Sequence, residues 1–290
     1  MGRRVRGVLA WAGLVCVQAI MPAWAQLPLA HSAAQWVEDL HETRWASGTA
    51  LATITAVGIN NWDWGQHRSF HTVSEGWFGT DTVAGGADKL GHAFSAYALT
   101  NLLAGQLRRE GRSPERSAWS ATLTTQALML YVEVFDAFSV RHGFSTDDTA
   151  MNLLGSGLAY ARAVHPRLRD LLDFRLEYQA SGRDGFAPFT DYAGQKYLLA
   201  WKLSGVPTLR DTPWRFLEVQ AGYYTRGFSA AERALGLDRS RTSFVGIGLN
   251  LGELFLGGPR VQESPGRSTG RFVLEHLQLP GTAVRSERAF

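Results

Sequence analysis

The chain has 290 residues, 45% of them hydrophobic, which is enough to bury a large core even after a targeting segment is removed. Its formal charge of +3 comes from 29 basic and 26 acidic residues, but three of the basic residues and none of the acidic ones lie in the first 25 positions. The remaining 26 basic and 26 acidic residues cancel, which excludes a generally basic surface for nucleic acid. We therefore expect no nucleic-acid partner.

Residues 1–25 have the pattern of a secretory signal peptide. A basic start precedes the apolar run Val8–Ile20 and the small-x-small cleavage pattern Ala23-Trp24-Ala25. The one cysteine, Cys16, lies inside the apolar run and follows Val15, which argues against lipoprotein cleavage at that position. The mature chain then contains no cysteine, so we expect neither disulfides nor thiolate metal ligands.

The first part of the mature chain predicts helices and an aromatic loop. Gln26–Asn60 contains a polar helical arm and then the apolar segment Ala46–Ile59, which is short for a membrane span and suits a buried or interfacial helix. A loop rich in Trp and Gly follows. It either forms an aromatic platform for a glycan or the membrane interface, or packs on the helices as a lid, and we favour the lid. The aromatic residues in question are Trp62, Trp64, Trp77 and Phe78.

Three more helices are predicted after this loop. Ala87–Leu107 carries Asp88, His92 and Ser95 on one face. The next helix has a strong start at Ser113-Pro114-Glu115, where an N-cap serine precedes a proline and an acid, and it continues through Ala118–Val140.

The last predicted helix is Thr149–Val164. Ser145 and Asp148 fit a capping box in front of it, and Gly155 within it permits close approach of another helix. We therefore predict an antiparallel bundle of about four to five helices over residues 26–170.

The pattern changes after Pro166. Leu168–Gly185 is mixed and charged and is predicted to be a linker with a short helix. Period-two alternation then predicts antiparallel strands, so the whole fold is expected to be α+β, with a small antiparallel β-rich region over residues 171–290. The predicted strands are Tyr197–Val206, Phe216–Tyr224, Phe244–Leu251 and, more weakly, Phe272–Leu279.

Acidic residues in apolar helices mark the most informative stretch, Tyr131–Tyr160. Glu133 and Asp136 lie three residues apart late in one helix, and Asp148 and Asn152 lie four apart at the start of the next, so each pair shares a helix face. Carboxylates rarely enter apolar helices without a partner, a proton or a metal. The sequence therefore predicts a polar site between helices, with His92 as the expected partner of Glu133 and Asp136.

Three interpretations of these residues remain open. In the favoured one the network is structural: Asp88 and Asp148 serve their own helix starts, and Lys89 and Arg141 neutralise the carboxylates. In the second, His92, Asp88 and Glu133 hold a divalent metal such as Zn²⁺, Mn²⁺ or Mg²⁺. Glu133, Asp136 and Asp148 would then act as catalytic residues in the metal-assisted hydrolysis of an ester or phosphoester. The third is a proton-linked or transport role.

Other catalytic patterns are weaker. Ser145 has His142 three residues upstream, but the Gly-x-Ser-x-Gly elbow of a serine hydrolase is missing around it. His67 and His71 would face one another only on a helix, and their Gly- and Ser-rich surroundings argue against one.

Taken together, the motifs resemble a known envelope family. Asp-Lys-x-x-His at positions 88–92, Glu-x-x-Asp at 133–136, and a Gly-aromatic-Ser turn leading to Asp-x-x-x-Asn-x-x-Gly at 143–155 resemble the YfiM-like envelope proteins. Many of these are predicted periplasmic lipoproteins of unknown function, and a more distant similarity is to the VanZ-like helical membrane proteins. The resemblance covers roughly Trp62–Tyr160 and, more loosely, Gly194–Leu251. It differs in the missing lipobox and in Asp136, where VanZ-like proteins more often have glutamine.

The resemblance implies an envelope location, a helical core and no particular reaction. We therefore predict an exported protein of the periplasm or outer membrane of a Gram-negative bacterium, with membrane or envelope components as partners. Its expected role is structural or ligand-binding, through a polar site that also includes Lys89, Arg141, Ser145 and Asn152. The alternative is a metal-dependent hydrolase acting on a lipid or peptidoglycan-related substrate.

Overall fold

The computed structural model describes residues 33–66, 68–181, 186–257 and 265–290. The predicted signal peptide and His67 lie outside these residues. Helices come first and an antiparallel sheet follows, which confirms the prediction of a mixed helix and sheet fold. The helices are α1 (Ala33–Glu42), α2 (Arg44–Asn61), α3 (Ala87–Arg109), α4 (Pro114–Asp136), α5 (Thr146–Val164), α6 (Pro166–Leu171), α7 (Ala230–Ala234), α8 (Leu251–Leu256) and α9 (Pro265–His276).

The strands form two sheets in the described part of the chain. A short parallel pair joins β1 to β2, and the larger sheet is antiparallel with the order β3-β4-β5-β6-β7. A bridge between Leu176 and Leu277 adds the segment before β7 to the free side of β3. The strands are β1 (Thr72–Val73), β2 (Phe144–Ser145), β3 (Leu172–Tyr178), β4 (Gln195–Lys202), β5 (Leu217–Arg226), β6 (Ser240–Leu249) and β7 (Ala283–Ala289).

The start and end of α4 have different causes. Its start is local, because the Ser113 hydroxyl accepts the N–H of Arg116 at 3.2 Å and proline occupies the first turn. Its end at Asp136, earlier than the predicted Val140, depends on another segment. The carbonyls of Ala137 and Phe138 accept N–H groups from the loop after α2, so they do not continue the helix.

Helices α3, α4 and α5 pack on one another, and the approach of α3 to α5 is very close. A Cβ placed on Gly155 of α5 would lie 1.9 Å from the carbonyl oxygen of Ala93 on α3. Glycine is therefore required where these two helices cross. Helices α1 and α2 pack against α4, and the buried Asp39 of α1 is held by Arg112 and Arg116. None of the helices in the described ranges is long and apolar enough to cross a membrane.

Two of the predicted segments are wrong. The proposed linker Leu168–Gly185 contains strand β3, whose charged positions looked solvated but are buried. The weak strand Phe272–Leu279 lies mostly in helix α9, and the strand of this region is β7 further on. In both segments the surrounding structure decides whether a strand forms, because strand preference depends strongly on what covers each face of the sheet.

One face of the sheet packs against the helices along β3 and β4, and the other face encloses a charged interior. Phe174 and Tyr197 on the first face pack with Ala93, Tyr97 and their neighbours in the main core. On the second face, Arg175 forms a two-pronged pair with Glu218, at 2.8 and 2.9 Å, and also contacts Asp173. The cluster around Phe174 and Tyr197 therefore joins the helices to the sheet.

Candidate functional site

The predicted polar residues converge where α3, α4 and α5 meet the loop before α3. The loop brings Glu75 toward the first turns of α3, and the end of α4 meets the start of α5 there. The contributing residues are Glu75; Asp88, Lys89 and His92 from α3; Glu133 and Asp136 from α4; and Ser145, Asp148 and Asn152 at the start of α5.

Lys89 is the fully buried cation of this cluster. Its ammonium Nζ lies 2.5 Å from Glu75, 2.9 Å from Asp88 and 2.8 Å from Asp148. Burial alone would lower the pKa of Lys89, but Asp88 and Asp148 outweigh it and hold that pKa well above its usual value. The prediction that Lys89 neutralises Glu133 and Asp136 is therefore wrong, because its charge is already shared among three other carboxylates.

Two side chains cap the start of α5, one from the residue before the helix and one from α4. The Ser145 hydroxyl accepts the N–H of Asp148 at 3.2 Å, as predicted. In a capping box Asp148 would return the contact, but the N–H of Ser145 instead donates to Glu133 of α4 at 3.2 Å. Because Glu133 supplies this acceptor, the Asp148 side chain is free to pair with Lys89.

His92 lies between two of the buried carboxylates. Its Nδ1 is 3.6 Å from Glu133 Oε1, and its Nε2 is 3.8 Å from Asp148 Oδ1. On the same side, Nδ1 lies 3.3 Å from the side-chain oxygen of Asn152. Of the two partners expected for His92, Glu133 lies beside its ring, whereas Asp136 contacts Trp64 instead, and Asp148 takes the second place beside the ring.

In the described part of the chain, neither Glu133 nor Asp136 forms an ion pair with a lysine or an arginine. Glu133 Oε1 is buried and has no hydrogen-bond partner among the described residues. Burial, with the charge of Asp148 nearby, raises the pKa of Glu133 to about 8. Asp136 accepts the indole N–H of Trp64 at 2.6 Å, and burial still raises its pKa to about 7.

Two other predicted roles are corrected by the geometry. Arg141 forms an exposed ion pair with Asp63 and does not neutralise the buried carboxylates. Asp88 lies in the first turn of α3 but does not cap it, because the N-cap is Gly86, with a left-handed φ of 89° and no side chain to donate or accept. The Asp88 carboxylate faces Lys89 instead.

The aromatic loop contributes both a packing anchor and a pocket. Trp64 is buried against Gly58, Tyr131 and Phe135, as the lid interpretation predicts for part of the loop. Residues 74–79, 81 and 82 line a pocket of about 500 Å³ that contains both Glu75 and the half-exposed Trp77. Glu75 was not among the predicted site residues, because a single acid in a Gly-rich loop has no periodicity that would link it to a helix.

The arrangement is suited to a divalent cation. His92, Glu133 and Asp148 each offer a ligand atom, and these atoms lie within 4.8 Å of one another. Glu75, Asp88 and Asp148 form a second such group on the Lys89 side. One imidazole nitrogen and two carboxylate oxygens suit Zn²⁺ or Mn²⁺ better than Ca²⁺, which prefers oxygen ligands throughout.

Comparison with known proteins identifies a family for the central part of the chain. Residues 74–164 match the family model described as "Predicted periplasmic lipoprotein (DUF2279)". This match confirms the resemblance to an envelope lipoprotein family of unknown function, and with it an exported, periplasmic location. It covers the aromatic pocket, α3, α4 and α5, and therefore all of the site residues named above. Neither the search of curated proteins nor the search of solved structures gives a match.

Proposed function

We propose that this periplasmic protein binds a divalent cation between α3, α4 and α5, through His92, Glu133 and Asp148. The observation that carries the proposal is the orphaned Oε1 of Glu133, which is buried, accepts no hydrogen bond and lies 3.6 Å from the His92 ring. A buried acceptor without a partner costs about 1–3 kcal/mol, and more if it is charged. A cation between the carboxylate and the ring would satisfy it.

The charge balance of the cluster supports the same proposal. Lys89 is the one lysine or arginine in contact with the five carboxylates of the described site, and its ammonium is shared among three of them. Without a further cation, the excess is relieved only by protonation, as the raised pKa values of Glu133 and Asp136 indicate. A divalent ion would neutralise two of these carboxylates and leave the fold intact.

A metal analysis of the full mature protein tests this proposal. Protein purified without chelator is expected to carry about one equivalent of Zn²⁺ or Mn²⁺, and to regain it after treatment with EDTA and dialysis. Asp148→Asn and Glu133→Gln should each lose it, whereas Glu110→Gln, an equal charge change at an exposed position after α3, should keep it. Metal-free wild-type protein that also fails to bind added Zn²⁺ or Mn²⁺ would leave only a structural network.

A metal-dependent hydrolase is a second candidate function. The observation that favours it is the pocket beside Glu75, because Glu75 pairs with Lys89 and so connects the pocket to the cation site. A cation bound at that site would polarise an ester or phosphoester that enters from the pocket, and would supply an activated water. The cation would be held by His92, Glu133 and Asp148, and the half-exposed Trp77 would contact the rest of the substrate.

Chromogenic phosphodiester and carboxylic ester substrates distinguish the two functions. Hydrolysis that depends on added Mn²⁺ or Zn²⁺, and that Asp148→Asn abolishes while Glu110→Gln keeps it, would support the hydrolase. Stoichiometric metal without turnover of either substrate would support cation binding alone.

A further inference from the structure

Strands β5 and β6 place polar side chains inside the sheet, next to the buried Phe244, and apolar side chains on the outside. Along β5, Glu218 and Gln220 are fully buried, whereas Val219 between them is 45% exposed. Along β6 the exposed positions include Val245 and Ile247, at 60% and 59% exposure. Most half-buried antiparallel strands have the opposite arrangement, with the apolar side in the core.

Buried partners account for the polar side of this arrangement. Glu218 is held by Arg175, and Gln220 donates to Glu218 at 2.8 Å. Space for Gln220 depends on a glycine, because a Cβ on Gly248 would lie 2.4 Å from its side-chain nitrogen. These contacts account for Glu218 and Gln220 on the inward face, but they do not explain the exposed apolar residues on the outward face.

Two other parts of the molecule cover only portions of that outward face. Phe174 and Tyr197 of β3 and β4 pack against α3. Tyr223 near the far end of β5 packs against Phe78 and donates to the carbonyl of Gly85, so the aromatic loop covers that corner. The open remainder lies on the three last strands of the sheet.

The open remainder is a continuous apolar patch, which we call the outer sheet patch. Val219, Ile247 and Val284 lie directly opposite one another across β5, β6 and β7, and Val284 is 83% exposed. Val245 and Leu249 extend the patch along β6. Exposed apolar residues continue at the end of the sheet where β6 leads into α8, and these are Leu254, Phe255 and, before β5, Trp214.

Charge distinguishes the kind of partner that suits this patch. The outward positions of β5, β6 and β7 carry no acidic residue. Their charged residues are Arg288, which is exposed, and Arg241, which donates to the carbonyl of Phe78. The acids of these strands, Glu218 and Glu287, are at inward positions. An apolar surface next to cationic side chains complements an anionic lipid surface, where acyl chains bury the apolar residues and headgroup phosphates pair with arginine.

We propose that the outer sheet patch docks the protein onto an anionic lipid surface. Val219, Val245, Ile247 and Val284 enter the boundary between headgroups and acyl chains, while Arg288 pairs with lipid phosphate. This contact is peripheral and involves the sheet alone, so it is independent of the proposed cation site. It gives the envelope association predicted for this chain a specific surface.

Vesicle co-sedimentation of the full mature chain tests the proposal. All samples contain EDTA, so that a cation bridging the helix site to lipid phosphate cannot contribute. The protein is expected to pellet with vesicles of phosphatidylglycerol and phosphatidylethanolamine, and to stay in solution with pure phosphatidylcholine vesicles. The triple variant Val245→Thr, Ile247→Thr, Val284→Thr should bind at least about tenfold more weakly, since each change removes apolar contact with the lipid. Threonine retains strand preference at these exposed positions, and an unchanged thermal unfolding midpoint would verify the fold.

A second apolar surface provides the matched control. Leu130 and Val134 on α4 are also exposed, and Leu130→Gln with Val134→Gln should leave vesicle binding unchanged. Three results would overturn the proposal: equal binding to zwitterionic vesicles, loss of binding in the α4 variant but not in the sheet variant, or no vesicle binding at all. A dimer in light scattering that the sheet variant converts to monomer would also overturn it, since a second copy would then occupy the patch.

Discussion

The carboxylate of Glu133 on α4 accepts the backbone N–H of Ser145 at 3.2 Å, and so one helix completes the N-terminal cap of another. This contact holds the end of α4 against the start of α5. It also leaves one oxygen of Glu133 facing His92 without a hydrogen bond. A side chain that has a structural role through one oxygen is thus available for a ligand through the other.

Conservative and severe changes of Glu133 should therefore differ. In EDTA at pH 6.5 the carboxyl is mostly protonated, because burial raises its pKa to about 8. Glu133→Gln keeps an acceptor for Ser145 and should change the free energy of unfolding by less than about 1 kcal/mol. Glu133→Ala loses the acceptor and leaves a cavity, and should cost about 2–4 kcal/mol. Urea denaturation measures both, and equal losses would show that the Ser145 contact contributes little.

Stability without metal should fall as pH rises from 6.5 to 8. Both Glu133 and Asp136 have folded-state pKa values raised far above 4.5 and 3.8, to about 8 and about 7. In this window the folded protein holds protons that the unfolded chain has already lost, so stability is greatest at the lower pH and is lost as pH passes through the folded pKa values. The expected loss is on the order of 2 kcal/mol.

Two buried histidines have the opposite effect on stability, but mainly below this window. Burial lowers the pKa of His276 to about 4 and also lowers that of His142, so their contributions rise with pH chiefly up to about 6.5. The rise that remains above 6.5 is about 0.4 kcal/mol for each histidine, which is smaller than the expected decline. Urea midpoints at pH 6.5, 7.2 and 8 in EDTA measure the decline. Glu133→Gln should flatten it, and saturating Zn²⁺ or Mn²⁺ should remove it. A stability that rises across this interval in EDTA would contradict the assignment.

The crossing of α3 and α5 should tolerate no side chain at position 155. Gly155→Ala places a methyl group against the carbonyl of Ala93, which belongs to a helix backbone and cannot rotate away. We expect a loss of about 1–3 kcal/mol by chemical denaturation. Gly105→Ala on α3 is the control, because open space surrounds that position, and it should stabilise the protein by about 0.5–1 kcal/mol. Similar effects of the two substitutions would mean that the helices are further apart.

The charged interior of the sheet should depend on complete pairing. Arg175→Met leaves Glu218 buried without its two-pronged partner and should cost about 3–5 kcal/mol. The double variant Arg175→Met, Glu218→Met should lose less, because Asp173 retains contacts with Lys202 and Arg162. Thermal and urea unfolding measure both variants.

An exposed ion pair is the control for this prediction. Arg141→Met removes the surface pair with Asp63 and should cost less than about 1 kcal/mol. A double sheet variant less stable than Arg175→Met alone would contradict the prediction, because Glu218 would then stabilise the sheet through contacts other than Arg175, such as that from Gln220.

Several local features could be predicted from the sequence because their causes lie within a few residues. Ser113 and Ser145 are followed by helix starts whose N–H groups they accept. The alternation of β5 and β6 follows from the two-residue period of an extended chain. The combination of short motifs at positions 88–155 also indicated the family, which the match over residues 74–164 confirms.

Tertiary structure alone decided which charges meet. Lys89 was expected to pair with Glu133 and Asp136, but it meets Glu75 from a loop that no periodic pattern linked to α3. Strand β3 looked like a solvated linker because local sequence cannot show that Arg175 finds Glu218 43 residues away. Hydrogen bonds within a turn and the period of a strand are fixed by neighbouring residues. The partner of a buried charge is fixed by which segments the packing brings together, as where the close contact of α3 with α5 at Gly155 brings Lys89 to Asp148.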